Sequence, residues 1–308
     1  MRHLLNTLFV TTQETYLFQE GESVVVKVDH EVRLRVPIHT LGGIVCFGNV
    51  SCNPWLMKLC GERNVAISFL SEHGQFFARV QGPVSGNVLL RREQYRRADD
   101  ERASAEIARS AVLAKIANSR TVLLRAQRDH PGMPGESAVS EASTLMARIL
   151  DKLQSPMALD IVRGCEGDAA RIYFGVFDHL IVAQKEEFFF RGRNRRPPLD
   201  NMNSLLSFIY TLLAHDVSAA LESVGLDPAV GFLHRDRPGR PGLALDLMEE
   251  FRPYLADRLA LSLVNREQVR GKGFRKTETG AVLMDDETRK ELLVAYQKRK
   301  QEEVQHPF

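Results

Sequence analysis

The chain of 308 residues is short of several things, and each shortage removes a class of protein. It has no run of about 18 apolar residues, so no membrane span is expected. Its first residues, Met1-Arg-His-Leu-Leu-Asn-Thr-Leu, lack the long apolar stretch and small-residue cleavage site of a secretory signal. Only four cysteines occur, Cys46, Cys52, Cys60 and Cys165, and none form a Cys-x-x-Cys pair. That argues against a zinc site or disulfide framework and for reduced, buried thiols in a cytoplasmic protein. An excess of charge of one sign is also missing: 41 basic residues meet 39 acidic ones, for a formal net charge of +2. So even a balance forces no nucleic-acid partner. Lysine is scarce, 10 against 31 arginines. The arginine fork suits bidentate phosphate contacts, but a GC-rich genome yields the same bias, so placement decides more than number.

What is present is an ordinary globular composition, 44% hydrophobic and 26% charged, in a length that suggests two domains. Thr7–Thr11, Thr15–Phe18, Ser23–Val28, Val32–Pro37, Gly43–Phe47, Val65–Leu70 and Phe76–Val80 are short runs rich in β-branched and aromatic residues. Gly21-Glu22 and Asp29-His30 sit between runs as hairpin turns, and Asn53-Pro54 reads as the cap and first position of a short helix. This part is expected to be mostly antiparallel. Pro83–Gly86 marks a change of pattern. Helical spacing follows over Arg91–Arg128 and Leu145–Leu153, and nearly everything to Gln305 reads as helix, apart from a small hairpin of Gly273–Thr277 with Gly280–Met284. The expected class is α+β: a small β-rich domain over 1–85 and a larger all-α domain over 86–308.

The chemistry gathers around Gly231–Asp257. Leu243, Ala244, Leu245, Leu247, Met248 and Phe251 fill one apolar arc of a helix, and Asp246, Glu249 and Glu250 share the other face. Such an acidic stripe is either simply solvated or holds a cation, because three acids on one stripe repel one another. His234 lies twelve residues before Asp246, behind an apolar Gly-Phe-Leu. Glu166 follows Gly164, which can stop a helix, and falls near the start of the next; Asp168 is a further carboxylate there. Each has a bland reading, a first-turn acid complementing the helix dipole or a hydrogen-bonded core histidine. Together, an imidazole and two or three carboxylates suit Mg2+ or Mn2+ better than zinc. Arginines flank them: Arg191, Arg193, Arg195 and Arg196 in one run, Arg235, Arg237 and Arg240 in another. Basic clusters around an oxygen-rich site imply a polyanion such as DNA. Tyr173 and Tyr210 read as core packing.

The ordered set Gly-x-Glu-Gly-x-Ala-Ala-x-x-Tyr-Phe, Arg-x-Arg-Arg-Pro-Pro with Asn203, Gly-Phe-Leu-His and Leu-Asp-Leu-Met-Glu-Glu-Phe-Arg-Pro resembles the CRISPR adaptation integrase, the metal-dependent nuclease that inserts spacers. The opening, Met1 to Pro37, is similar to the version found in type I-C systems. The resemblance spans essentially the whole chain. It implies a dimerising β-rich domain, an all-α catalytic domain, and metal ligands Glu166, His234 and Glu249 with Asp246 in support. It also implies double-stranded DNA as substrate (spacer fragment and CRISPR repeat), a homodimer, a heterohexamer with a small ferredoxin-like partner, and an exonuclease-like trimming protein. The activity implied is DNA transesterification by a 3′-hydroxyl. The rival readings are a catalytically silent DNA-binding subunit of an adaptation complex and a metal hydrolase acting on a small phosphate ester.

Overall fold

The computed structural model describes residues 6–82, 87–194 and 197–303. The expected boundary at Pro83–Gly86, and Arg195 and Arg196, lie outside the described residues. The chain forms two compact units. One is Met1–Gly86 with Glu222–Gly225 and Leu293–Phe308; the other is Asn87–Leu221 with Leu226–Leu292. A single cut near residue 86 therefore does not describe the division, since two later pieces join the first unit.

The first unit holds β1 (Asn6–Val10), β2 (Thr15–Glu20), β3 (Ser23–Val28), β4 (Glu31–Pro37), β5 (Leu41–Phe47), β6 (Val50–Cys52), α1 (Pro54–Glu62), β7 (Ala66–Leu70) and β8 (Phe76–Val80). They build two four-stranded sheets, in the orders β1-β5-β7-β8 and β4-β3-β2-β6. The pairing is mixed and not mostly antiparallel: β1 with β5, β5 with β7 and β2 with β6 are parallel. Parallel neighbours need a crossover, and the β2–β4 meander and α1 supply two of them. The turn between β3 and β4 puts Asp29 at φ 50° and His30 at φ 65°, the left-handed pair a tight two-residue hairpin requires. Asn53 caps α1, its side-chain oxygen accepting from the Leu56 N–H at 2.8 Å, with Pro54 in the first turn. Leu17, Val24, Ile44, Leu56 and Ile67 are fully buried between the sheets and α1. β4 is an edge strand with nearly every side chain exposed, Val32 and Leu34 included.

The rest is helical, as an α+β chain with its strands gathered at the N-terminal end. It contains α2 (Val88–Asp99), α3 (Glu101–Asp129), α4 (Glu136–Lys152), α5 (Leu159–Val176), α6 (Asn201–Ser223), α7 (Gly242–Phe251), α8 (Arg258–Asn265) and α9 (Asp286–Lys300). The hairpin β9 (Phe274–Lys276) with β10 (Val282–Met284) is present. The single helix expected over 91–128 is two, because Asp100 leaves helical geometry (φ −91°, ψ 109°) and caps α3 by accepting from Arg102 and Ala103. α4 starts at Glu136, earlier than the sequence pattern suggests: Val139, Ala142 and Met146 keep helical spacing among Ser, Glu and Thr. Gly164 stops nothing and lies inside α5. α6 is long and apolar enough to cross a membrane by length and composition, yet half of its most apolar window is buried inside the fold. Leu205, Leu206 and Ile209 of that helix have no exposure, which marks a core helix. α3 packs against α4, α5 and α7 and so forms the spine of its unit.

Truncation of Ile44, fully buried on the central strand β5, leaves a cavity. Ile44→Ala is expected to destabilise the first unit by about 2–5 kcal/mol, read as a lower urea midpoint; a change within error would show that this core is not tightly packed.

Candidate metal and nucleic-acid site

Three helices bring two of the expected residues, Glu166 and Glu249, to one point. Lys115 of α3 stands between Glu166 of α5 and Glu249 of α7, its ammonium ion-paired to Glu166 Oε1 and, at 2.6 Å, to Glu249 Oε2. Lys115 and Glu249 are buried, while Glu166 keeps 28% of its side chain exposed. Burial pushes the Glu249 carboxyl up, but the Arg252 guanidinium and the Lys115 ammonium outweigh it and hold it below its ordinary range. The converse holds for Lys115, where burial opposes the charge and Glu249 and Glu166 restore it. Arg252 Nη1 meets Glu249 Oε1 at 2.7 Å. Thus the acidic stripe of α7 is no solvated face. Asp246 and Glu249 point inward at 2% and 3% exposure, whereas Leu247 and Phe251, expected in the apolar arc, are exposed. The helix is turned this way because its acids have fixed partners: backbone N–H groups for Asp246, two cations for Glu249.

Asp246 organises the histidine. Its carboxylate accepts from the backbone N–H groups of Phe232, Leu233 and His234 at 2.6, 2.8 and 3.0 Å, and Oδ1 lies 2.6 Å from His234 Nδ1. All its lone pairs are engaged, so Asp246 supports and orients and is not itself a free ligand. His234 is left with Nε2 as its open nitrogen. Arg163, one turn before Glu166 on α5, donates through Nε to the Leu233 carbonyl at 2.8 Å and ties the Glu166 helix to the His234 loop. Gly231 makes the geometry possible. A Cβ there would stand 2.6 Å from the Gly242 carbonyl carbon and 2.8 Å from Asp246 Oδ2.

Beyond Arg252 the chain turns π-helical over Arg252–Asp257, with Pro253 near its start, a wide turn of the kind found at functional sites. It buries Asp257, which accepts from Tyr210 Oη at 2.6 Å. Burial raises the Asp257 carboxyl to about 6, against the lowering effect of Tyr210, Tyr173, Arg252 and Arg193. Tyr210 also carries two cations over its ring, with the Arg252 and Arg193 guanidinium carbons 5.0 and 5.1 Å from its ring centroid.

The expected DNA-contacting arginines divide. Arg191, Arg235 and Arg237 are exposed and Arg240 half-buried. Arg193 is not available in the same way: its guanidinium donates to Asn203 Oδ1 at 2.7 Å, to Ser207 Oγ and to the Asn194 carbonyl, and it stacks on Tyr210. Those acceptors make it a strut of its loop. Asp168 is exposed and pairs with Arg171, so it stays apart from the cluster. Glu250 is half-buried, and its carbonyl accepts from Asn118. Lys115 and Arg252 escaped the sequence reading. Lys115 carries a signal, a lone charge inside Ala111-Val-Leu-Ala-Lys-Ile-Ala, whereas Arg252 enters only as part of the Leu-Asp-Leu-Met-Glu-Glu-Phe-Arg-Pro motif, with no role of its own.

Among the described residues, no three His, Cys, Asp or Glu side chains form a ready-made cage for an ion. The donor set still fits a hard divalent cation. Two carboxylates from different helices converge on one cation position, with the buried Glu249 Oε2 2.6 Å from the ammonium that stands there. An oxygen so placed can accept a metal bond.

With that geometry in hand, comparison with known proteins decides the family. The profile of the family described as "CRISPR associated protein Cas1" matches residues 8–298. The chain belongs to the Cas1 family. A relative from Chlorobaculum tepidum, CRISPR-associated endonuclease Cas1 1, is 54% identical over 308 residues, 100% of this chain and 90% of that one. A Geobacter sulfurreducens protein named as a CRISPR-associated exonuclease Cas4/endonuclease Cas1 fusion is 35% identical over 310 residues, 98% of this chain and 54% of the fusion. Among solved structures, a CAS1 protein from Thermotoga maritima matches with a TM-score of 0.82 at 23% identity, over 97% of this chain and 91% of that one. A casposase bound to integration product gives 0.82 at 23% identity, over 98% and 85%. A chain of a Cas6-RT-Cas1–Cas2 complex gives 0.80 at 23% identity, over 96% of this chain and 32% of that one. At these identities the structures establish the Cas1 fold, a β-rich N-terminal part followed by a helical one.

Two expectations test the geometry. Gly231→Ala forces the His234 loop off Asp246; it is expected to lower the melting temperature modestly, at a cost of about 1–3 kcal/mol, and to remove nuclease activity, and full activity would show that the close packing is not required. Asp257→Asn keeps an acceptor for Tyr210 and removes the titration. A carboxyl whose pKa is higher folded than unfolded stabilises the fold at low pH, and that contribution is lost as pH rises through about 6. Urea unfolding at pH 4 to 7 should therefore show the variant gaining on wild type by roughly 2 kcal/mol; a constant difference would refute the raised pKa.

Proposed function

We propose that this Cas1-family chain is a divalent-metal-dependent DNA endonuclease and integrase that inserts short foreign DNA fragments into a CRISPR array. The observation that carries the reading is the convergence of Glu166 and Glu249 on one cation position, beside a histidine held by Asp246. A silent DNA-binding subunit has no need to bury Glu249 against two cations.

In this reading Glu166, Glu249 and His234 would hold Mg2+ or Mn2+. The ion, when bound, supplies charge neutralisation at the attacked phosphate and lowers the pKa of the attacking hydroxyl. Asp246 keeps the imidazole in one tautomer and orientation. Arg252 keeps Glu249 ionised and aimed. Arg191, Arg235, Arg237 and Arg240 grip backbone phosphates and position the duplex without reading its sequence. The 3′-hydroxyl of the fragment attacks a phosphodiester at the repeat edge; one P–O bond forms and one breaks, so no Ser or Cys nucleophile is required. With water as nucleophile the same site nicks DNA.

The substrates are the spacer fragment and the CRISPR repeat, both double-stranded DNA. A homodimer through the first unit is supported by the edge strand β4 with Val32 and Leu34 exposed. A heterohexamer with a small ferredoxin-like partner is supported by the Cas1–Cas2 complex, and an exonuclease-like trimming partner by the Cas4/Cas1 fusion. The casposase likeness supports integration. The type I-C likeness, resting on the opening sequence, and a cytoplasmic location complete the reading.

Strand transfer of a short duplex into a repeat-bearing supercoiled plasmid tests it. Glu166→Ala and His234→Ala are expected to lose at least about two orders of magnitude of activity while still binding DNA, and chelation should abolish transfer by wild type. Wild-type-like transfer by either variant, or indifference to chelation, would sink the assignment.

A further inference from the structure

Lys115 is 9% exposed, near the middle of the spine helix α3, and its ammonium bridges Glu166 and Glu249. A lysine buried this far needs partners. The partners here are the two carboxylates that the proposed function assigns to the metal, and no other acid is ion-paired to it among the described residues. A protonated amine has three donors and no acceptor, so it cannot serve as a ligand to a cation. Ammonium and divalent ion thus call on the same oxygens, and two cations in one buried site repel strongly because screening is weak there.

We propose that Lys115 is a built-in counter-ion that competes with the divalent ion for Glu166 and Glu249, so that metal loading must break both ion pairs and displace its ammonium. The inference rests on the metal reading above. The fold offers the displaced group a place. A cavity of about 20 Å³, room for roughly one water-sized group, opens beside Lys115 and is lined also by Ser119, Tyr173, Tyr210 and Asp257. The Tyr173 hydroxyl is buried there beside the Asp257 carboxylate, which supplies charge. The competition has two consequences. Lys115 keeps the two acids from repelling one another before loading, and it weakens the apparent affinity for the ion, since part of the binding free energy goes into moving it.

The test uses the full chain and Mn2+ alone, with isothermal titration calorimetry and melting curves as readouts. Lys115→Met is expected to bind Mn2+ at least about tenfold more tightly than wild type, to melt lower without Mn2+, and to gain more in melting temperature on its addition. Lys115→Arg preserves charge and guards against a variant that fails to fold; its larger donor set should hold the acids more firmly and weaken Mn2+ binding several-fold. Mn2+ binding by Lys115→Met no tighter than wild type, or binding by Lys115→Arg as tight as wild type or tighter, overturns the competition while leaving the metal site standing. If wild type binds no Mn2+ and Glu249→Gln changes nothing, the metal reading itself falls, and the lysine inference with it.

Discussion

A buried carboxylate must find positive charge or N–H groups, and the helical unit is arranged around that constraint on α7. Glu249 and Asp246 face inward on one helix and are satisfied by opposite means. Glu249 has Lys115 and Arg252, two full charges from α3 and from its own helix end. Asp246 has three backbone N–H groups and a histidine ring. An unpaired buried charge costs several kcal/mol, so neither acid tolerates movement of its partners. The helix α3 and the Phe232–His234 loop, which carry those partners, are therefore locked to α7 by directed polar contacts.

This division of labour separates binding from positioning. Asp246 is saturated by the loop it holds, and its work is to fix where His234 points. Glu249 is matched by side-chain cations and not by backbone N–H groups, and one cation can in principle be exchanged for another. Two acids three residues apart on one helix thus take different roles through their surroundings alone. Arg193 makes the complementary point on the basic side. It sits in an arginine-rich run, yet Asn203 and Ser207 draw its guanidinium into the framework, while Arg191 remains exposed.

Much of this was legible in the sequence, and the gaps have physical causes. β-Branched runs and turn residues located the strands of the first unit, and Asn53-Pro54 located α1, because those signals act locally. Parallel pairing was not legible, since it depends on which distant strands meet. The break at Asp100 was hidden by continuous helical periodicity on both sides. The position of Glu166 within α5 was misjudged because a helical glycine with open space around it interrupts nothing. The proposed ligand set came from the resemblance carried by the ordered motifs, while only part of the apolar arc of α7 held: Leu243, Ala244 and Met248 are buried, but Leu247 and Phe251 face out and Asp246 and Glu249 face in. Periodicity assigns acids to water, and only tertiary partners can bring them inside. Lys115 was missed for the same reason: a buried lysine is defined by neighbours 51 and 134 residues away along the chain.

The loop that carries His234 has one more property. Its two ends are fastened together: the Gly242 N–H donates to the Ala229 carbonyl at 3.1 Å, Leu243 to Pro228 at 2.9 Å, and Gly231 packs directly on Gly242. Asp246 grips the residues just inside that clasp. The stretch from Arg235 to Gly239 hangs outside it, exposed to solvent. Lengthening or rewriting a tip closed off in this way adds little entropic cost and leaves the imidazole where it is. The segment is a module whose exposed tip can be revised without disturbing the Asp246–His234 contact behind it.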